Sequence, residues 1–123
     1  MGKFVVKTTK SGFVFNLKAG NGEVIATSES YKSKDACMNG VESVRKSCEG
    51  GVEDQTVEGF EKLTHPKFEV YADKAGEFRF RLKARNGEII VVSEGYKAKA
   101  SCKNGIDSVR RNVVDADIVE PEE

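Results

Sequence analysis

Few of the usual catalytic tools are present in this chain. Its one histidine, His65, sits in an acidic stretch beside Pro66. With no second histidine and no cysteine pair at zinc spacing, it makes no metal site. A Ser-His-Asp or Cys-His device would have to use this same His65. The three cysteines, Cys37, Cys48 and Cys102, have spacings that form no disulfide framework, which suits a reducing compartment. Cys37 and Cys102 fall on apolar helix stripes and read as small core residues. Cys48, nearer a helix end, is expected to be the exposed thiol. The glycines build no phosphate-binding loop, because each Asn-Gly-Glu leads into a strand whereas such loops lead into a helix. Glu23, Glu29, Glu88 and Glu94 recur in matched positions, each near a cation, and their spacing alone defines no acid–base pair. Neither an enzyme nor a cofactor is expected.

What remains are surfaces. Arg79, Arg81 and Lys83 alternate with apolar residues, so a strand points all three to one face. A tight Asn86-Gly87 turn would add Ile90 and Val92 to that face and set Glu94 across from Arg79. Side by side, basic and apolar groups suit a docking surface, as well as a solvated face with arginine stems covering aliphatic neighbours. An earlier copy of the strand carries Val14, Asn16 and Lys18 there, diluting the charge. A second candidate is the strand-to-helix junction. Tyr31 and Tyr96, each followed by lysine, occupy it as core caps or stacking aromatics. Asn39 with Ser43, and Asn104 with Ser108, form polar pairs on the following helices, either bonded along the helix or lining a small recess near the tyrosines.

These residues are positioned by a repeated unit. Phe13–Gly40 and Phe78–Gly105 follow the same plan, and 25 of 45 aligned positions are identical between residues 3–47 and 67–112. Each copy reads strand, turn, strand, tight turn, strand, helix. Phe13, Phe15, Leu17 and Ala19 alternate apolar with mixed residues, as do Phe78, Phe80, Leu82 and Ala84. Asn21-Gly22 and Asn86-Gly87 predict type I′ hairpin turns, with positive φ at both residues. Ser33 is the expected N-cap of the first helix, and Ala98 takes its place in the second. The helix stripes are Cys37, Val41, Val44 and Cys48, then Cys102, Ile106 and Val109. A glycine inside each helix, Gly40 and Gly105, predicts close approach of helix to sheet. In the connector, Val57, Phe60 and Leu63 have the spacing of a short helical turn docked on the core.

A unit of this size cannot bury a stable core alone. The expected fold is therefore α+β. Two tandem βββα repeats share one core about a pseudo-twofold axis, with an antiparallel sheet and both helices on one face. Residues 1–123 make one domain: repeat 3–47, acidic connector 48–66, repeat 67–112, and acidic tail 113–123, frayed after Ile118. Net charge is zero, but the repeats come to about +4 and +5, and the connector and tail to about −4 and −5. No apolar run is long enough to span a bilayer, and the cytoplasm is the expected location.

The segments KFEVY, DKAGEFRFRLKARNGEII and SEGYKAKASCKNGIDSV resemble the bacterial YegP-like family of small tandem-repeat proteins. The resemblance covers nearly all of 3–47 and 67–112. The first copy departs from it at Ser30 and Met38 and keeps Asn39, Gly40, Ser43 and Val44. It implies the duplicated βββα fold and brings no established activity, so no catalytic role is carried over. Two functions follow from the surfaces: a non-enzymatic module binding a protein partner, or polyanion and nucleic-acid binding by the basic face of the second repeat. A small-molecule pocket between the repeats is a third.

Overall fold

The computed structural model describes residues 2–120. In chain order its elements are β1 (Lys3–Thr9), β2 (Gly12–Lys18), β3 (Val24–Ser28), α1 (Lys34–Ser47), β4 (Gly51–Asp54), β5 (Lys67–Ala72), β6 (Phe78–Lys83), β7 (Ile89–Ser93), α2 (Lys99–Val113) and β8 (Asp117–Val119). The strands and helices of the repeats lie where periodicity places them. Alternating apolar residues fill one sheet face, and the three-four spacing fills one side of each helix. Thus α1 buries Cys37, Gly40, Val41 and Val44, and α2 buries Cys102, Gly105, Ile106 and Val109.

All eight strands form one sheet in the order β4-β5-β6-β7-β3-β2-β1-β8. Within each repeat the hairpins are antiparallel, and β3 joins β7 antiparallel at the centre. The outermost pairs are parallel, which the repeat pattern did not predict: β4 lies on β5 and β8 on β1. Both result from the same crossing. The strand after α1 pairs with the second repeat, and the strand after α2 pairs with the first. The connector supplies a strand ahead of the expected helical turn, and at that turn no helix forms: Val57 and Phe60 are exposed. The tail supplies β8, ordered through Val119 and so past the expected fraying point; residues 121–123 lie outside the described residues.

One apolar cluster takes residues from both repeats and both helices. Phe4 meets Phe15 edge to face at 5.8 Å, and Phe68 meets Phe80 in the same way at 5.9 Å. Matched arginines close its two ends. The Arg45 guanidinium lies 5.4 Å from the Phe4 ring and donates to the Ala116 carbonyl at 2.9 Å. Arg110 lies 5.3 Å from Phe68 and donates to the Cys48 and Gly50 carbonyls at 3.1 and 2.7 Å. Each helix thus ties down the chain that leaves the other helix. Cys48 is 6% exposed and is not a surface thiol, because the chain turns inward here to enter β4.

The hairpin turns differ from the expected type I′. Among the described residues only glycines have positive φ, including Gly22 at 87° and Gly87 at 85°. Gly22 N–H donates to Ala19 O and Ala19 N–H to Glu23 O, both at 2.9 Å. This is a three-residue loop, a type I turn closed by a left-handed glycine. The Asn21 side chain accepts from Glu23 N–H at 3.0 Å, so asparagine serves through its amide oxygen. The β6–β7 loop repeats the arrangement. The register then shifts beside Lys18 and beside Lys83, where Lys83 pairs with Ile89 and Leu82 with Val91. Ile90, skipped by the pairing, turns into the core and is 3% exposed.

The helix starts provide an internal comparison. Ser33 Oγ accepts from Ala36 N–H at 3.1 Å, and Ala98 makes no side-chain cap. Ser33→Ala should therefore cost about 1 kcal/mol, and Ala98→Ser should add up to that amount. Urea midpoints should move in opposite directions for the two variants.

Candidate functional site

The junction tyrosines are held from two sides. Tyr31 exchanges backbone hydrogen bonds with Phe13 (2.7 and 2.8 Å), and Tyr96 does the same with Phe78 (2.7 Å each). Their rings then reach over the helix glycines. A Cβ on Gly40 would lie 2.7 Å from Tyr31 Cζ and 3.1 Å from the Phe15 ring, and one on Gly105 would lie 2.6 Å from Tyr96 Oη and 3.0 Å from the Phe80 ring. Close approach, expected of helix and sheet, is thus made by tyrosine and phenylalanine together. Asn39 and Asn104 are exposed on the helices, and Ser108 bonds Asn112 (Nδ2 to Oγ, 3.0 Å) in place of Asn104.

Beside each tyrosine is an open crevice built by both repeats. One, of about 400 Å³, is lined by Glu29, Ser30 and Tyr31 of the first repeat and by Lys83, Gly87, Glu88 and Ile89 of the second. The other, of about 310 Å³, is lined by Glu94, Gly95 and Tyr96 of the second repeat and by Glu23 and Val24 of the first. The recurring carboxylates, unplaceable from spacing, therefore meet the tyrosines across the repeat boundary. Burial raises the Tyr31 phenol pKa, and Cys37, Glu29 and Glu88 add to the rise. Tyr96 is raised by burial, with Cys102, Glu94 and Glu23 adding. Carboxylates outnumber cations in the lining of both crevices. Their one signal in the sequence is the retention of Glu-Tyr-Lys spacing and Asn-Gly-Glu in both copies.

The expected basic face is a set of ion pairs. Arg79 binds Asp73 at 2.7 Å and the Ser93 carbonyl at 3.1 Å, so its carboxylate is Asp73 rather than Glu94. Arg81 binds Glu69 at 2.7 Å and lies 4.4 Å from the Tyr71 ring, and Lys83 reaches Glu69 at 3.3 Å. Val92 stands half-buried opposite Arg81, and Ile90 is absent from this face. The three cations are half-buried and ion-paired, with Arg81 and Lys83 sharing Glu69 with Lys67, so the face offers less free positive charge to a polyanion than the strand alone suggests.

Beneath them is a buried ionic cluster that spacing did not reveal. Lys67, 2% exposed, bonds Glu53 at 2.6 Å and Glu69 at 3.2 Å. Glu53 also accepts from Gln55 Nε2 and Leu63 N–H, both at 2.7 Å, so the connector is fastened to the sheet. Burial pushes Glu53 up, but Gln55, Lys67 and the Leu63 amide together hold its carboxyl down to about 2. Glu69 is likewise below the ordinary range: burial raises it, and Arg81 and Lys67 overcome that.

A depressed carboxyl stabilises the fold fully above its unfolded value and loses that contribution as pH falls toward the folded one. The contribution of Glu53 should therefore be complete above pH 4.5 and decline between 4.5 and about 2. Glu53→Gln should cost about 3 kcal/mol at neutral pH by breaking a buried pair. It should also flatten the acid limb of stability against pH, measured by urea unfolding from pH 2 to 7.

Comparison with known proteins places this architecture. A family model described as "Domain of unknown function (DUF1508)" matches residues 9–54 and 73–120, each match including the strand given to the other repeat. A UPF0339 protein in the ptx operon 5' region of Stutzerimonas stutzeri is 38% identical over 120 residues, covering 97% of this chain and 96% of that protein. A UPF0339 protein of Treponema denticola is 61% identical over 54 residues, 44% of this chain but 93% of its own length, and so corresponds to one repeat. The solution NMR structure of yegP from E. coli, described as a protein of unknown function, superposes with a TM-score of 0.79 at 34% identity, covering 97% of this chain and 91% of that one. The chain belongs to the DUF1508 (UPF0339) family, of which the YegP proteins are members, and carries two copies of its domain.

Proposed function

We propose that this chain is a non-enzymatic binding module whose two inter-repeat crevices each take a cationic side chain from a basic segment of a partner protein. The observation that carries this reading is the pairing of Tyr31 and Glu29 with Glu88, and of Tyr96 and Glu94 with Glu23. An aromatic ring beside two carboxylates suits lysine or arginine through charge and cation–π attraction. Lys83 lines the first crevice, but its ammonium is already committed to Glu69. The symmetric strand order and the matched Phe and Arg contacts support two repeats related by a local twofold, with both helices on one sheet face. The crevices would then be equivalent sites at a fixed separation.

Absence of catalysis is part of the proposal. Cys102, pushed up to about 11 by burial with Asp54 adding, is a protonated thiol at neutral pH and a poor nucleophile. Three unpaired buried cysteines also support a reducing, cytoplasmic setting. No helix among the described residues is long and apolar enough to cross a membrane.

The test is an amide NMR titration of the full chain with a lysine- and arginine-rich peptide and with an acidic control peptide. Shifts should cluster at Tyr31 and Glu88 and at Tyr96 and Glu23, weaken with salt, and be absent with the control. Glu88→Gln should weaken the first crevice about fivefold and leave the second unchanged, and Glu23→Gln the reverse. Binding insensitive to both substitutions, or shifts elsewhere alone, would overturn the reading.

A further inference from the structure

A third concavity differs in chemistry from the acidic crevices. It is a groove of about 500 Å³ between the last turns of α1, Pro66, and the tip of the β6–β7 hairpin. Ser43, Lys46 and Ser47 line it from the helix, and Ala84, Arg85 and Asn86 from the hairpin. Lys46 and Arg85 are exposed, and neither forms an ion pair among the described residues. This sets them apart from Arg79, Arg81 and Lys83, each of which contacts a carboxylate. The adjoining recess shares Lys46 and Pro66 and adds His65 and one carboxylate, Glu49. Hydrogen bonds and one guanidinium offset part of the negative pole at the end of α1. Arg110 bonds the Cys48 and Gly50 carbonyls, Gly50 N–H the Ser47 carbonyl, and Cys48 N–H the Val44 carbonyl.

The other repeat shows that such a groove is not an automatic product of the fold. There Arg111 and Asn112 take the places of Lys46 and Ser47, Gly20 that of Arg85, and Gly2 that of Pro66. Gly2 is packed so closely on Asn112 that an added Cβ would lie 2.6 Å from the Asn112 Cβ, and Asn112 is bonded to Ser108. The counterpart thus has Gly2 packed on Asn112 and lacks the second cation. The groove at α1 is open, has two free cations with hydroxyl and amide groups between them, and is mostly apolar along its wall. Its size is that of a small-molecule site.

We propose that this groove binds a small organic phosphate monoester. Lys46 and Arg85 would hold the dianionic head, Ser43 and Asn86 would donate to its oxygens, and the apolar body would lie along Pro66 and Ala84. Two cations favour a dianion over a carboxylate, and guanidinium suits phosphate geometry.

The experiment is an amide NMR titration of the full chain with phenyl phosphate, inorganic phosphate and benzoate in parallel. Saturable shifts with phenyl phosphate are expected at Ser43–Ser47, Lys67 and Ala84–Asn86, with at least about tenfold weaker binding of benzoate and of inorganic phosphate. Lys46→Ala and Arg85→Ala, both at exposed positions, should each weaken phenyl phosphate about tenfold, and Arg111→Ala should leave it unchanged. Benzoate binding as tightly would overturn the phosphate assignment, and inorganic phosphate binding as tightly would overturn the role of the apolar wall. No shift at millimolar phenyl phosphate, or equal loss with Arg111→Ala, would overturn the site itself. The acidic crevices lie on other residues, so a result here leaves the basic-segment reading to its own test.

Discussion

Neither repeat completes its own side of the sheet. Without β4, strand β5 would present a bare row of backbone donors and acceptors, and without β8 so would β1. Each missing strand is supplied by the chain that leaves the other repeat's helix. The arginines reinforce the exchange, since Arg45 grips the approach to β8 and Arg110 the approach to β4. Units of some 46 residues are marginal on core size alone. Here they are coupled by backbone pairing, by a common apolar cluster and by ionic hydrogen bonds at once. The inter-repeat crevices follow from this coupling, because the tip of one repeat's hairpin comes to rest beside the other repeat's tyrosine.

The two halves meet the same geometric demand with different chemistry. One transverse row on the sheet runs Glu53, Glu69, Arg81, Val92, Thr27, Asn16, Val5, Val119, each paired with the next. One end is ionic and fastened by Lys67, and the other is aliphatic, with Asn16 accepting from Thr27 at 2.9 Å. The ionic end holds the parallel β4–β5 pair to one register. A slip of one residue would strand Glu53 away from Lys67 in a buried setting, which is costly for both charges. The aliphatic end carries no such penalty and relies on packing.

Much of the fold was legible because the duplicated pattern gives each strand and helix two independent readings. The structures of the turns were not. Asn-Gly signals a hairpin, yet whether the loop has two residues or three depends on Ala19 and Ala84 pairing across it, a register choice that a local motif does not contain. That single residue is why Ile90 belongs to the core. Strands β4 and β8 were hidden for another reason: acidic, short and outside the repeat, they become strands only when a partner edge is available. The candidate site was half legible. Tyr31, Tyr96 and the four glutamates stand out by recurrence, but their meeting depends on β3 joining β7, which no residue pattern announces. The basic face misled because Glu69 and Asp73, which pair with its cations, sit on the preceding strand and turn, where sequence distance hides them.

The parallel pairing of β1 with β8 has a consequence for biogenesis. β1 is translated before every other element described here, and its outer neighbour only after both helices and the other six strands. Until β8 emerges, the nascent chain therefore holds an open sheet margin at β1. The exposed Lys3 and Lys7 on β1 place positive charge along that margin, which discourages a second nascent chain from docking in register. The pairing of β1 with β8 is thus the strand contact of longest separation along the chain, and its loop-closure cost is met last.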